Sequence, residues 1–246
     1  MPEWFEDDAY WEVVEHRLFT PARLAAATDE ASQIAALVNL PPGAAVMDLC
    51  CGPGRHASAL AGRGFHVTGV DRKQSFLDEG RRRADANQLT VEWVHADMRD
   101  FLRVEAFDAV INLYTSFGHF EDAADDKKVV LNVYRSLRPG GAFVIELMGK
   151  EILARVFRRR RWTQEGDVIV LEEGRIDKAW TWLENRWIVI KGGVVREFPV
   201  RQRLYSAAEL MALLRDCGFR DAAAYCDFVG GPYDDKATRL VVVARK

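Results

Sequence analysis

The chain lacks long apolar runs, clustered cysteines and a strong net charge. No stretch of about eighteen apolar residues occurs, so no membrane span is predicted. The 4 cysteines (Cys50, Cys51, Cys217 and Cys226) have no metal-ligand spacing, and adjacent cysteines rarely bridge each other. A net charge of −3 gives no global field that would attract nucleic acid or an anionic membrane.

The start of the chain and its composition favour a reduced, cytoplasmic protein. The first eight residues are acidic and argue against a signal or transit peptide. Cysteines without a disulfide pattern are typical of a reducing compartment. With 246 residues and 49% hydrophobic content, the chain can bury one substantial core, with or without an added lobe. Internal repeats and low-complexity tracts are absent from the sequence.

The most informative segment is a glycine turn between two short apolar strands. Val46–His56 reads VMDLCCGPGRH, and the second strand, VTGVD, ends at Asp71. The turn opens into a helical stretch, which predicts a βαβ unit. Glycines let a bound nucleoside approach the backbone, and an acid at the end of the second strand can accept hydrogen bonds from a ribose diol.

Two cofactor classes compete for this unit. A dinucleotide needs three small residues against its pyrophosphate, and the turn meets that spacing only if Ala57 replaces the third glycine. S-adenosylmethionine has no phosphate and needs an acid before the glycines, an open turn and an acid for the ribose. Asp48, the pair Gly52 and Gly54, and Asp71 meet these needs, so the methyl donor is favoured. For Asp48 the alternative is a purely structural role, for Asp71 a helix cap, and for the two glycines an ordinary turn.

The rest of the chain continues the alternation of strands and helices. Strands are predicted at Val91–His95, Phe107–Asn112 and Ala142–Leu147, with a helix at Leu131–Arg138 before the last of them. This order is typical of a doubly wound parallel sheet. Asp97 and Met98 follow the third strand, where a carboxylate and a backbone N–H can contact an adenine ring.

These segments together resemble a class I S-adenosylmethionine-dependent methyltransferase of the small-molecule branch. DLCCGPGRH, VTGVD, ADMRDF and FDAVINLYTSFGHF resemble the first four motifs of that family, and RLVVVARK resembles its final, reversed strand. The resemblance implies an α/β fold with a doubly wound, mostly parallel seven-stranded sheet. The last strand would be antiparallel, and a small antiparallel β-sheet and an N-terminal helical lid would be added. It covers nearly the whole chain except residues 151–203.

One domain is predicted, built from three pieces. Residues 1–40 would form the lid, residues 41–150 and 204–246 the cofactor-binding core, and residues 151–203 an antiparallel insertion over the acceptor pocket. The apolar face of that insertion is a candidate dimer contact, although it can also lie on the core. A monomer and a homodimer therefore both stay open.

Further cofactor contacts are assigned with an alternative for each. Leu113 can pack on the adenosine or belong to the core, and Arg72 can lie near the donor or be an exposed arginine. The resemblance assigns Tyr10, Trp11, His16 and Arg17 to the lid, with Tyr10 and Arg17 at the cofactor and Trp11 at the substrate pocket. An aromatic face at Tyr10 would favour the positive sulfonium. The alternative is that these aromatic residues belong to the core.

His119 is the candidate catalytic base. It follows the fourth strand at the carboxyl edge of the sheet, where ligands bind in such folds, and its ordinary pKa suits proton transfer near neutrality. A loop histidine that only packs is the alternative. Further substrate-pocket candidates at the same edge are Tyr114, Glu146 and Tyr205.

The expected function is methyl transfer from S-adenosyl-L-methionine to an N or O atom of a small molecule, with S-adenosyl-L-homocysteine as product and no metal. Nucleic acid and membrane are not expected as partners. Arg158–Arg161 leaves an RNA-modifying enzyme as an alternative, although a solvated face or a helix end explains the run as well. A donor-binding protein without turnover is a second alternative, and a nicotinamide oxidoreductase a third.

Overall fold

The computed structural model describes residues 3–246, apart from the side chain of His16. In chain order, the strands are β1 (Ala45–Leu49), β2 (His66–Asp71), β3 (Val91–His95), β4 (Phe107–Asn112), β5 (Leu137–Leu147), β6 (Arg160–Glu165), β7 (Val168–Ile176), β8 (Trp182–Lys191), β9 (Val194–Arg203), β10 (Asp221–Tyr225) and β11 (Leu240–Arg245). The helices are α1 (Asp8–Leu18), α2 (Pro21–Leu37), α3 (Arg55–Ala61), α4 (Gln74–Ala86), α5 (Ala123–Ser136), α6 (Lys150–Val156) and α7 (Ala207–Asp216). A 3₁₀ helix, Trp4–Glu6, precedes α1.

The main sheet has seven strands in the order β10-β11-β5-β4-β1-β2-β3. The pairs β1–β2, β1–β4, β2–β3 and β4–β5 are parallel, whereas β11 runs antiparallel to both β5 and β10. The strand order reverses between β1 and β4, and in such sheets the crevice at this point binds the ligand. The predicted doubly wound sheet with a reversed last strand is confirmed.

Helices cover both faces because the central strands are apolar on both sides. On one face, Ile34 of α2 and Leu60 of α3 pack with Ile111 and Val144 of the sheet. On the other face, α5 and α7 pack against alternate residues of the same strands. Asp122 caps α5 by accepting from the Ala124 N–H at 2.8 Å.

Strands β6 to β9 form a separate four-stranded antiparallel sheet, here called the inserted sheet. Its apolar face packs against α1, where Val14 is fully buried beside Val168, Val189 and Phe198. The antiparallel insertion and the helical N-terminus are therefore confirmed. Because α1 covers this face, the face has an intramolecular partner.

The structure corrects one local prediction and adds detail to two others. The helix expected at Leu131–Arg138 begins earlier, at Ala123, and ends at Ser136, because Leu137 already pairs with Phe107 in the sheet. Of the two structural interpretations of the arginine run, the structure supports the solvated face, because Arg160 and Arg161 lie in β6, which has an exposed side chain at every position. No position was predicted for β6 or for β10, the seventh strand of the main sheet. Among the helices of the described part of the chain, none is both long enough and apolar enough to cross a membrane.

Candidate active site

The turn after β1 contacts the end of the neighbouring strand β2. Cys50, Gly52 and Gly54 all adopt the left-handed backbone conformation, with φ of 61°, 55° and 69°. The Cys51 N–H donates to the Val70 carbonyl at 3.0 Å, which ties the turn to β2. The tight path of this turn therefore depends on conformations that glycine adopts without cost.

Aromatic side chains fill the space beside both glycines. A Cβ on Gly54 would lie 2.1 Å from the Trp93 ring, which also lies against Gly69 and Gly80. A Cβ on Gly52 would lie 3.1 Å from the ring of Phe19, at the end of α1. The close contact with Trp93 explains the glycine at position 54 without any ligand. The assignment of both glycines to the cofactor therefore stays a prediction.

Asp71 holds the glycine turn and the start of α4 together. One carboxylate oxygen accepts from the Gly52 N–H and the other from the Lys73 N–H, both at 2.8 Å. Burial raises its pKa, and these backbone donors oppose the rise. Asp71 thus fixes the backbone just before α4, but it does not cap that helix, because the N-cap residue is Lys73 and no described side chain bonds to the first turn. Each carboxylate oxygen can accept a further hydrogen bond, so the role at a ribose stays a prediction.

Arg72 turns away from the glycine turn toward the N-terminal segment. It donates to the Phe5 carbonyl at 3.0 Å and pairs with Glu6 at 3.1 Å. Lys73 forms a second ion pair, with Asp8 of α1. The N-terminal segment is thereby held against the ends of β2 and β3. Arg72 therefore binds the N-terminal segment, and its contact with a cofactor stays a prediction.

Asp48 and Asn112 carry buried acceptor atoms that have no partner among the described residues. Asp48 is 3% exposed, and its Oδ2 accepts no hydrogen bond from them. Burial raises its pKa to about 7, although Arg55 opposes the rise. Asn112 donates to the Leu49 carbonyl at 2.9 Å, which leaves its Oδ1 free. Because buried polar atoms are usually satisfied, both atoms fit a ligand with donors, such as the ammonium group of S-adenosylmethionine.

The loop after β3 carries Asp97 and Met98. Asp97 pairs with Arg99 at 2.8 Å and also accepts from its backbone N–H. The Met98 sulfur lies 3.4 Å from the Cys50 sulfur, so this loop contacts the glycine turn. Leu113 is buried beside the apolar residues of α2 and α3. The adenosine contacts assigned to these residues stay predictions.

The lid residues named from the resemblance lie mainly toward the inserted sheet. Tyr10 is 4% exposed, in edge contact with Phe198 at 5.6 Å and with Trp187 at 5.8 Å. Trp11 donates to the Phe5 carbonyl at 2.8 Å, and Arg17 pairs with Glu172 of β7 at 3.8 Å. The aromatic residues therefore belong to a core. Their cofactor and pocket roles stay predictions, and the side chain of His16 lies outside the described structure.

His119 presents a neutral ring with a free lone pair. Its Nε2 lies 2.9 Å from the Thr115 carbonyl, which only accepts, so Nε2 carries the proton. The lone pair is then on Nδ1, which is buried and has no hydrogen-bond partner among the described residues. Burial lowers the pKa of His119 below 6.5, although the backbone groups of Thr115 and Arg201 beside the ring oppose this change, and the ring of Trp4 packs edge-on with centroids 5.0 Å apart. This state suits a base, a role that stays a prediction.

The three pocket candidates do not converge. The Tyr114 N–H donates to Glu146 at 2.5 Å, which joins the ends of β4 and β5. Tyr205 instead donates to Asp126 at 2.7 Å and packs on Phe117, with the apolar residues of the α5 face. Tyr114 and Glu146 therefore share a neighbourhood that Tyr205 does not.

The structure adds residues that sequence reasoning missed. Glu30 of α2 contacts His56 of α3 at 2.8 Å and accepts from the Tyr114 hydroxyl at 2.7 Å. Arg239, just before β11, pairs with Glu30 at 3.0 Å. The sequence carried no specific signal for Glu30, because α2 also contains the charged residues Arg23 and Asp29.

Comparison with known proteins agrees with this geometry. Residues 46–141 match the model of a family described as a methyltransferase domain. The structure of the CcbJ methyltransferase from Streptomyces caelestis superposes with a TM-score of 0.75 and 25% identity, covering 89% of each chain.

Two curated relatives match most of the chain. A putative methyltransferase, YqeM, of Bacillus subtilis is 25% identical over 85% of this chain and 86% of its own. A glycine/sarcosine N-methyltransferase of Aphanothece halophytica is 26% identical over 82% of this chain and 76% of its own. The fold and these matches define an α/β enzyme of the methyltransferase class. They support its assignment as a class I S-adenosylmethionine-dependent methyltransferase with S-adenosylmethionine as its cofactor.

Proposed function

We propose that the protein methylates a nitrogen atom of a small-molecule amine. The observation that carries the proposal is the set of buried, unpartnered polar atoms along one edge of the sheet: Asp48 Oδ2, Asn112 Oδ1 and His119 Nδ1. The two oxygen atoms can accept hydrogen bonds from the cationic methyl donor. The ring nitrogen can take a proton from the molecule that receives the methyl group. A glycine/sarcosine N-methyltransferase among the relatives supports nitrogen as the methylated atom.

In this proposal the bound cofactor supplies an electrophilic methyl group. Asp71 holds the ribose, and the Oδ2 of Asp48, which has no partner among the described residues, accepts from the ammonium group of the cofactor. His119 removes a proton from the amine through Nδ1 while Nε2–H stays on the Thr115 carbonyl. Trp4 and Phe5, which pack on His119 at 5.0 and 6.5 Å, exclude water from the reacting atoms.

A small acceptor fits the charge distribution better than RNA. Arg160 pairs with Glu173 at 3.1 Å, and Arg161 pairs with Glu172. These carboxylates partly neutralise the arginine run, whereas phosphate binding needs free cationic side chains.

The experiment is a methyl-transfer assay with labelled S-adenosylmethionine and a panel of small amines, alcohols and total RNA. We expect label in amines, and a strong loss with His119→Asn. Arg63→Gln, an exposed substitution outside the site, is the control. Label in alcohols alone or in RNA alone would contradict the proposal, as would tight donor binding without any transfer.

A further inference from the structure

Three arginines from distant parts of the chain surround the ring of Tyr114. The guanidinium carbons of Arg55, Arg239 and Arg23 lie 3.7, 5.1 and 5.6 Å from the ring centroid. They come from the start of α3, the loop before β11 and the first turn of α2. We call these three residues the arginine cluster.

The arginine cluster is short of counter-ions. Arg55 and Arg23 form no ion pair with any residue that the structure describes; their polar contacts are backbone carbonyls, Arg23 at 3.4 Å and Leu18 at 3.1 Å. Arg239 pairs with Glu30, but its Nη1 is buried without a partner within the described chain. A partly buried guanidinium without a carboxylate is costly, which favours an anion that binds there.

Two of the nearby carboxylates, those of Glu30 and Glu146, already accept hydrogen bonds from other groups. Glu30 accepts from the Tyr114 hydroxyl and contacts His56, and these bonds hold its pKa at about 2 although burial acts to raise it. Glu146 accepts the Tyr114 N–H at the end of β5. Neither carboxylate forms an ion pair with Arg55, although Glu30 and Asp48 attract its charge at longer range. Of the three guanidinium groups, only that of Arg239 is paired with a carboxylate among the described residues.

The arginine cluster lies beside the proposed reaction centre. Tyr114 directly precedes Thr115, whose carbonyl binds His119 at 2.9 Å. Tyr114 and Thr115 both adopt left-handed φ, at 58° and 60°, a conformation that is costly for such residues and is often found at functional sites. Arg55 follows Gly54 and is close enough to Asp48 to lower its pKa. The segment Tyr114–His119 thus joins the arginine cluster to the candidate base.

From this geometry we propose that the arginine cluster binds the carboxylate or phosphate group of the methyl acceptor. The planar guanidinium group can donate two parallel hydrogen bonds to a pair of oxygens of a carboxylate or a phosphate. The substrate class is then an amine that carries an anionic group, held while its nitrogen faces His119. This inference rests on the proposed function and narrows it.

The first test measures anion binding to the complex with S-adenosylhomocysteine. Inorganic phosphate and pyrophosphate are titrated into wild type, Arg55→Gln, Arg239→Gln and the exposed control Arg63→Gln. We expect binding to wild type and to the control, and about tenfold weaker binding to each cluster variant that keeps its thermal unfolding transition. No anion binding to wild type, or equal binding to all variants, overturns the inference.

A second arm separates the acceptor from the donor, whose amino-acid part also carries a carboxylate. S-adenosylhomocysteine and 5′-methylthioadenosine, which lacks both that carboxylate and the amino group, are titrated into wild type and Arg239→Gln, because Arg55 also acts on Asp48. We expect a change of less than about threefold for both ligands. A loss of about tenfold or more for S-adenosylhomocysteine alone assigns the arginine cluster to the donor and overturns the inference.

A third arm uses turnover. Matched amines, such as an amino sugar with and without a phosphate, are compared as methyl acceptors. The phosphorylated member is expected to have the higher kcat/KM, and Arg55→Gln to remove the difference. Equal kcat/KM for the pair overturns only this inference, whereas failure of wild type to bind S-adenosylhomocysteine would remove the proposed function itself.

Discussion

The carboxylate of Asp71 accepts a hydrogen bond from the Gly52 N–H at 2.8 Å, so the end of β2 holds the glycine turn that follows β1. The same side chain therefore shapes the turn and, in the proposed complex, binds the ribose. Because one residue serves both purposes, its replacement acts on binding and on the folded turn together.

We predict that Asp71→Ala weakens S-adenosylhomocysteine binding by roughly 1.5–3 kcal/mol, the range for a hydrogen bond to a charged group. Isothermal titration calorimetry measures this loss. Asp85→Ala, an exposed substitution on α4, should bind like wild type. Unchanged affinity in Asp71→Ala would remove the residue from the cofactor site.

Asp48 should make stability fall as the pH rises from about 4 to about 7. Its pKa is raised by burial from 3.8 to about 7, so the folded state keeps a proton that the unfolded state has lost. The contribution of Asp48 to stability is therefore fully present below its pKa in the unfolded state. It is lost as the pH rises through this window, by up to about 4 kcal/mol at 1.4 kcal/mol per pKa unit.

Chemical denaturation at several pH values checks this loss, with Asp48→Asn as the comparison. The asparagine variant does not titrate, so its stability should depend less steeply on pH between about 4 and 7. Parallel curves for the two proteins would show that Asp48 ionises in the folded state as it does in the unfolded state.

His119→Asn should lower kcat by about 10² or more while the affinity for S-adenosylhomocysteine stays within about twofold. The pKa of His119 lies below 6.5, so wild-type kcat should stay high down to that pH and fall only in more acidic solution. A pH profile with and without the substitution measures the effect. An acidic limb that survives in His119→Asn would assign the titration to another group.

Gly54→Ala should destabilise the fold more than Gly64→Ala. Both glycines have positive φ, 69° and 85°, so each alanine carries a backbone cost of about 1–2 kcal/mol. Only at Gly54 does the new Cβ meet the Trp93 ring, which adds about 1–3 kcal/mol of overpacking. Thermal or urea unfolding gives both values, and equal losses would show that Trp93 moves aside freely.

Local patterns were enough to predict most strands of the main sheet, although β10 was not located. The strands at Val91–His95 and Phe107–Asn112 have the predicted bounds, because apolar runs between sharp turns are local signals. Strand β6 was missed because its residues are exposed and charged, so only its pairing with β7 makes it a strand. Leu137 was assigned to a helix because its pairing with Phe107 is not visible in the local pattern.

The candidate site could be predicted from the sequence only where its residues belong to one local unit of the chain. Asp71 and the glycine turn lie in one βαβ unit, and their contact follows from that unit. The arginine cluster joins α2, α3 and the loop before β11, which are far apart in the chain. The packing of Tyr10 on the inserted sheet likewise depends on tertiary contacts.

A crystal structure of the complex with S-adenosylhomocysteine tests the central claim most directly. The account predicts the ribose hydroxyls on Asp71, the amino group near Asp48, and the sulfur facing the side of the site that holds His119. A ligand bound away from the turn Cys50–Gly54, or a ribose that leaves Asp71 without contact, would contradict it.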